Sequence, residues 1–129
     1  MPVVSSHMSR DLLTVSPETG LGEAAKRMTA RGVGAVLVVE GERLAGILTE
    51  RDILRAVAAE ATAGAVVGEW MTRHPETIEH DDSTDHAAAL MIHGGFRHLP
   101  VVDGARTVGI LSIRDLVRVA LEDKTPRGA

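Results

Sequence analysis

The sequence predicts an α+β fold in which a β-α-β-β-α motif of about 50 residues occurs twice. When the chain is shifted on itself by 63 residues, positions 8–58 align with 71–121 without a gap, and 17 of these 51 pairs are identical. Strand-like apolar runs and helix-like apolar spacing follow one another in the same order in both copies. Two similar heptads, "GILTERD" from Gly46 and "GILSIRD" from Gly109, occupy the same place in each copy.

Each copy contains five predicted elements. Short extended segments, "LLTVS" and "ETIEH", come first, and the helices "LGEAAKRMTARG" and "TDHAAALMIHGG" follow them and run into glycine, a common helix stop. The apolar strands "AVLVVEG" and "HLPVVDG" end in a Gly turn, and the second strands "RLAGILT" and "TVGILS" follow after a short hairpin. The segments "ERDILRAVAAE" and "IRDLVRVALED" close the copies as helices.

The repeat sets the predicted boundaries of the copies. We place the first motif at 8–59, a linker with a short helix at "GEWMT" over 60–70, and the second motif at 71–122. Residues 1–6 and the tail "KTPRGA" are expected to be frayed. A copy of about 50 residues buries too little surface to be stable alone. We therefore expect the copies to pack as a pseudo-twofold pair, with one heptad facing each of two clefts.

Composition limits the classes of function. The chain has 129 residues, 44% of them hydrophobic, a net charge of −4 and no cysteine. Disulfides, thiolate metal sites and cysteine nucleophiles are excluded, and the lack of a basic stripe argues against nucleic acid as the main partner. No apolar run reaches the roughly 18 residues of a membrane span, and "MPVVSSHMSR" lacks the pattern of a signal peptide. A cytoplasmic protein without a membrane partner is expected.

The repeated pattern resembles the CBS domain pair, or Bateman module, from about Met8 to Leu121. Both heptads match that family's Gly-x-x-(Thr/Ser)-x-x-Asp motif, and "HLPVVDG" matches its second-strand pattern. The first copy departs from this pattern, because Leu37 stands where the second copy has Pro100.

The resemblance implies a binding function. Pairs of this family bind adenosine-containing ligands in their clefts and report energy or metabolite state. The residues implied to hold the ribose are Thr49 and Asp52 in one site, and Ser112 and Asp115 in the other. A carboxylate can accept hydrogen bonds from both vicinal ribose hydroxyls, which suits it to this role.

The two sites are expected to differ. The second copy has "GFRHLPVV" where the first has "GVGAVLVV". The resemblance implies that Arg97 and His98 reach the phosphates of a nucleotide whose ribose is held by the other copy, at Thr49 and Asp52. The remaining site would face no basic residue and would bind more weakly.

Several alternative interpretations stay open. Thr49-x-x-Asp52 and its counterpart also fit helix capping boxes, in which case the chain would be a ligand-free dimerisation or protein-interaction module. The ligand could also be another adenosyl compound such as S-adenosylmethionine. A metal site is a further alternative, although acids and histidines at a helix start are usually solvated. Its candidate ligands are His80, Asp82, His86 and His93.

The other motifs do not indicate catalysis. Gly20-x-Gly22-x-x-Ala25 imitates a dinucleotide fingerprint, but three residues separate the preceding strand from Gly20, where the fingerprint requires glycine at the turn. Walker and Gly-x-Ser-x-Gly motifs are absent. Met28, Met91 and Phe96 are expected in the core, and Trp70 is expected to pack the linker.

We therefore expect a sensor of an adenine nucleotide of the AMP, ADP and ATP class, not an enzyme. No cofactor is required, since the nucleotide is the regulatory ligand. The chain contains no effector domain of its own in this interpretation, so the signal would pass to an unidentified effector protein. Apolar helix faces that remain uncovered would form a homodimer.

Overall fold

The structure, a computed structural model, describes residues 2–124, of which 123 and 124 are described by their backbone alone. Both copies have the predicted β-α-β-β-α order, which confirms the α+β fold. The elements are β1 (Thr14–Val15), α1 (Leu21–Arg31), β2 (Ala35–Glu40), β3 (Arg43–Thr49), α2 (Glu50–Ala58), α3 (Val67–Trp70), β4 (Thr72–Arg73), β5 (Ile78–Glu79), α4 (Thr84–Gly94), β6 (His98–Asp103), β7 (Arg106–Ser112) and α5 (Ile113–Lys124).

The strands form two separate sheets with matching pairing. One sheet has the order β1-β2-β3-β4 and the other β5-β6-β7. In each, the first strand runs parallel to the second, and the second pairs with the third in an antiparallel hairpin. The pairs Ala35↔Thr49 and His98↔Ser112 stand at the same position in the two hairpins. The sequence repeat is therefore also a repeat of hydrogen-bonding register.

The helices end where the sequence predicts. Gly32 and Gly95 follow α1 and α4 with φ angles of 67° and 71°, in the left-handed region that glycine adopts without a steric penalty. Within residues 2–124, no helix combines the length and the apolar character that a membrane crossing requires.

Each copy has its own buried cluster, and the chain divides into two compact units. One unit is Leu12–Pro75, and the other joins residues 2–11 to 76–124. Met28 and Met91 are buried at equivalent places in the two clusters, and Phe96 is half-buried against the second, as predicted. Trp70 packs against the first cluster.

The prediction that residues 1–6 are frayed is wrong for residues 2–6, which the structure describes. Residues Val4–Ser6 form a turn of 3-10 helix, and Val4 is fully buried in the cluster of the second copy. The N–H groups of Val4 and Ser5 donate to the carbonyls of Asp82 and His80, and each donor–acceptor distance is 2.9 Å. Burial of an apolar side chain and these hydrogen bonds hold the segment in place. The tail "KTPRGA" lies, from residue 125 on, outside the described residues.

The linker makes the reciprocal contacts with the first copy. Val67 and Gly68 lie 63 residues after Val4 and Ser5. Their N–H groups donate to the carbonyls of Thr19 and Pro17, and each donor–acceptor distance is 2.8 Å. The predicted short helix is present as α3, but it ends before Thr72, where β4 pairs with β3. The leading segment of each sequence copy thus packs on the body of the other copy. For this reason the compact units differ from the bounds of the sequence repeat.

Val4→Ala tests the anchoring of the N-terminal segment. We expect the free energy of unfolding to fall by about 2 kcal/mol, because two fully buried methyl groups are lost and a small cavity remains. Val33 is 38% exposed, so Val33→Ala should change that free energy by less than about 0.5 kcal/mol. Urea denaturation followed by circular dichroism measures both variants. Equal stability of Val4→Ala and the parent protein would contradict the anchoring role.

Candidate functional site

The first motif lies where β3 becomes α2, and its polar groups bond to one another. The N–H of Thr49 donates to Oδ2 of Asp52 over 2.9 Å, and the Thr49 hydroxyl donates to the same oxygen over 3.2 Å. In return, the Asp52 N–H donates to the Thr49 hydroxyl over 3.4 Å, which completes a capping box. The Asp52 side chain is 6% exposed, so these hydrogen bonds satisfy a carboxylate that is nearly buried.

The second motif has the same arrangement where β7 becomes α5. Oδ2 of Asp115 accepts the Ser112 N–H over 2.8 Å and the Ser112 hydroxyl over 3.0 Å, and the Asp115 N–H donates to that hydroxyl over 3.1 Å. The structure thus brings together both pairs of residues that the sequence assigned to ribose. Each pair also caps the helix that follows it.

The glycine at the start of each heptad is required by a close backbone approach. A Cβ atom at Gly46 would lie 2.6 Å from the carbonyl oxygen of Thr72 and 2.8 Å from the sulfur of Met71. At Gly109, the equivalent space is filled by Met8 and by the carbonyl of Ser9. The leading segments therefore pass directly over the strands that carry the motifs, which only glycine permits.

The second carboxylate oxygens have different surroundings in the two motifs. Oδ1 of Asp52 accepts a hydrogen bond from Arg55 over 3.1 Å, and the Arg55 guanidinium lies 5.8 Å from the centre of the Trp70 ring. Arg118 is the counterpart of Arg55, but its nearest nitrogen lies 3.7 Å from Oδ1 of Asp115, too far for a hydrogen bond. The Asp115 side chain is also more exposed, at 15%.

The predicted phosphate-binding residues belong to the compact unit of the second motif. The Arg97 carbonyl accepts the Ile113 N–H over 2.9 Å, and His98 pairs with Ser112 across the hairpin. The Arg97 side chain is exposed and that of His98 is half-buried. Their assignment to the nucleotide held by Thr49 and Asp52 stays a prediction.

In the first copy, the place where the start of β2 meets the start of α2 carries the opposite charge. The Gly34 carbonyl accepts the Glu50 N–H over 3.0 Å, and a Cβ atom on Gly34 would lie 3.1 Å from Oε1 of Glu50. The counterparts of these two residues are Arg97 and Ile113. The junction is therefore acidic in the first copy and basic in the second.

Three of the candidate metal ligands, His80, Asp82 and His86, lie in two separate pairs. Nδ1 of His86 lies 2.6 Å from Oδ2 of Asp82, and Nε2 of His80 lies 3.6 Å from a carboxylate oxygen of Asp103. The hydrogen bond with His86, followed by that from the Ser83 N–H, lowers the pKa of Asp82. Among the side chains of residues 2–122, no group of three or more His, Asp or Glu is placed to hold a metal ion.

Sequence reasoning missed Arg55 and its contact with Trp70. One signal was available, because Asp52-x-x-Arg55 recurs as Asp115-x-x-Arg118 at the same 63-residue offset. Residues three apart on a helix are neighbours, so this spacing predicts an ion pair in both copies. The contact with the indole ring has no such periodic signature.

Comparison with known proteins gives consistent matches over both copies. The family model for the CBS domain matches residues 4–59 and 67–122. The CBS domain-containing protein YhcV of Bacillus subtilis is 37% identical over 117 residues, which is 90% of this chain and 84% of YhcV. Other curated relatives are longer, and the chain spans 19% of CBSCBSPB2 from Arabidopsis thaliana.

Solved structures of two similar proteins contain adenosine compounds. The CBS domain pair of protein MJ0100, in complex with 5'-methylthioadenosine and S-adenosyl-L-methionine, is 29% identical with a TM-score of 0.90, and the match covers 96% of this chain and 99% of that one. CBSX2, which is from Arabidopsis thaliana, was solved in complex with AMP; it is 29% identical with a TM-score of 0.82 and the same coverage.

Proposed function

Because the chain belongs to the CBS domain family and carries two copies of that domain, we propose that it binds an adenine nucleotide of the AMP, ADP and ATP class as a regulatory sensor. The observation that carries the proposal is the pair of carboxylates, Asp52 and Asp115, each placed where a strand becomes a helix. The proposed role is binding and not catalysis.

The chemistry of each motif suits a ribose. An ionised carboxylate has acceptor capacity on both oxygens, and capping uses mainly Oδ2 of Asp52 and of Asp115. Oδ1 is the oxygen proposed to accept from a ribose hydroxyl, in competition with Arg55 at Asp52. The hydroxyls of Thr49 and Ser112 offer a second polar contact beside it.

Arg97 and His98 are proposed to contact the phosphate. A guanidinium binds phosphate oxygens through strong, charge-assisted hydrogen bonds. Arg97 is exposed, and no acidic side chain occupies the position equivalent to Glu50 beside it, because that position is Ile113. This local charge favours a phosphorylated ligand over a neutral nucleoside.

S-adenosylmethionine is the second candidate ligand. The relatives with solved complexes hold AMP in one case and 5'-methylthioadenosine with S-adenosyl-L-methionine in the other, so these ligands share adenine and a ribose with both vicinal hydroxyls. A sulfonium is cationic and gains nothing from Arg97, whereas a phosphate does. The acidic junction at Glu50 is the feature of this chain that favours a cationic ligand.

A thermal-shift screen tests the proposed function. A ligand present at about 100 times its Kd should stabilise the fold by about 2.7 kcal/mol, which raises Tm by several degrees. The screen compares AMP, ADP, ATP, NADH and S-adenosylmethionine. If no adenosine compound at millimolar concentration raises Tm, the sensor function is wrong, and the motifs serve only as helix caps.

We further propose that the chain forms a homodimer through its closing helices. Leu54 on α2 is 67% exposed, and Val57 on the same helix is 55% exposed; Val117, the counterpart of Leu54 on α5, is 52% exposed. Light scattering at micromolar concentration should give twice the 13.7 kDa of one chain. The variant Leu54→Glu should shift the mass towards the monomer, since it places a charge in the interface. A monomer at every concentration of the parent protein would contradict the proposal.

A further inference from the structure

The two motifs differ in what holds the second oxygen of the carboxylate. Arg55 donates to Oδ1 of Asp52 over 3.1 Å, while Oδ2 of Asp52 is used by the capping box. Both oxygens of this carboxylate are therefore bonded within the chain. In the second motif, Arg118 stays 3.7 Å from Oδ1 of Asp115 and makes no hydrogen bond with it.

A tryptophan explains why Arg55 is better placed than Arg118. The Arg55 guanidinium lies 5.8 Å from the centre of the Trp70 ring, within the range of a cation–π interaction. Trp70 ends α3 and is half-buried against the first cluster, so its ring is held in place. The counterpart of Trp70 in the repeat is His7. Arg118 therefore has no tryptophan beside it to hold its side chain.

We propose that Arg55 couples ligand binding at Asp52 to Trp70 and α3, and that the second motif lacks this coupling. The inference rests on the proposed function. A ribose hydroxyl that donates to Oδ1 of Asp52 competes with Arg55 for the same oxygen. Arg55 is mostly exposed, so it can leave the carboxylate at little cost. Its position over Trp70 then changes, and with it the contact between the motif and the segment that leads into the second copy.

Trp70 is also the natural probe for this coupling. It is the single tryptophan of the chain, which has no tyrosine, so its fluorescence reports this one site. Adenosine is a suitable ligand, because it has both ribose hydroxyls and no charge that could bind Arg55 directly. We expect adenosine to change the emission of Trp70 in the parent protein. The emission of ligand-free Asp52→Asn should shift in the same direction, because the amide keeps the shape of the side chain but loses the charge that holds Arg55.

The decisive comparison uses Arg55→Ala and its matched control Arg118→Ala. Arg55→Ala should abolish the emission change and tighten adenosine binding about two- to fivefold in calorimetry, the range expected when an exposed ion pair no longer competes. Arg118→Ala should keep the emission change of the parent protein. Both arginines are mostly exposed, at 62% and 66%, so neither variant should fail to fold.

The outcomes separate this inference from the proposed function. If calorimetry shows that the parent protein binds adenosine, but Arg55→Ala gives the same emission change and the same Kd, the coupling is wrong and the binding function stands. The same conclusion follows if adenosine binds without changing the emission of the parent protein. If neither adenosine nor AMP gives heat with the parent protein, the binding function and the coupling are both wrong.

Discussion

Asp52→Ala is expected to weaken the binding of AMP about tenfold or more. The substitution removes the proposed acceptor of the ribose hydroxyls, and a hydrogen bond to a charged group contributes roughly 1.5–3 kcal/mol. Calorimetry with AMP measures the loss. Asp115→Ala is the matched variant, since it removes the same cap in the other copy, and it should affect only a weaker second site. Circular dichroism shows first whether each variant keeps its helices.

Arg97→Ala separates the phosphate from the ribose. We expect it to weaken AMP binding by about tenfold, because one charge-assisted hydrogen bond is lost. The effect should shrink with adenosine, which has no phosphate, whereas the effect of Asp52→Ala should persist with both ligands. If Asp115→Ala abolishes the tight site and Asp52→Ala leaves it intact, then Arg97 and His98 serve the second motif, and our assignment is wrong.

Gly46→Val is expected to lower the free energy of unfolding by about 3 kcal/mol. A Cβ atom at this position would lie 2.6 Å from the carbonyl oxygen of Thr72, which belongs to the backbone of β4 and cannot turn away as a side chain can. The additional methyl groups then force the two strands apart, as in other overpacked cores. Urea denaturation measures the loss, and Gly109→Val should behave similarly because Met8 and Ser9 fill the same space.

A glycine in open space provides the control for this prediction. Gly22 lies in α1, and no other group comes within 4 Å of the place where its Cβ would be. Gly22→Ala should therefore raise the free energy of unfolding by about 0.5–1 kcal/mol, since alanine loses less conformational freedom in a helix. If Gly46→Val were as stable as the parent protein, close approach would not be the reason for the glycine in the motif.

Features set by local sequence were predictable. The helix stops at Gly32 and Gly95 and the capping box of Thr49 and Asp52 all depend on residues within one turn of chain, so their spacing is enough to predict them. The repeat then supplied the second copy of each feature without further assumptions. The order of the elements follows from apolar periodicity, which the packing of each copy around its own cluster preserves.

Features set by distant contacts were not predictable. Val4 stands ten residues before β1, and nothing near it in sequence indicates that its backbone bonds to Asp82. The contact between Arg55 and Trp70 is likewise made between two helices, α2 and α3, that are separated in sequence by an irregular loop. Such contacts depend on tertiary packing, which cannot be predicted from the local propensity of the residues.

The exchange of leading segments has a consequence for biosynthesis. The unit Leu12–Pro75 is continuous, so every residue it needs has been translated once Pro75 has been added. The other unit requires residues 2–11, which are made before the continuous unit, and residues 76–124, which are made after it. Domains generally fold as units during synthesis, with the N-terminal part first. Residues 2–11 must therefore wait, with Val4 uncovered, until the later part of their own unit has been translated.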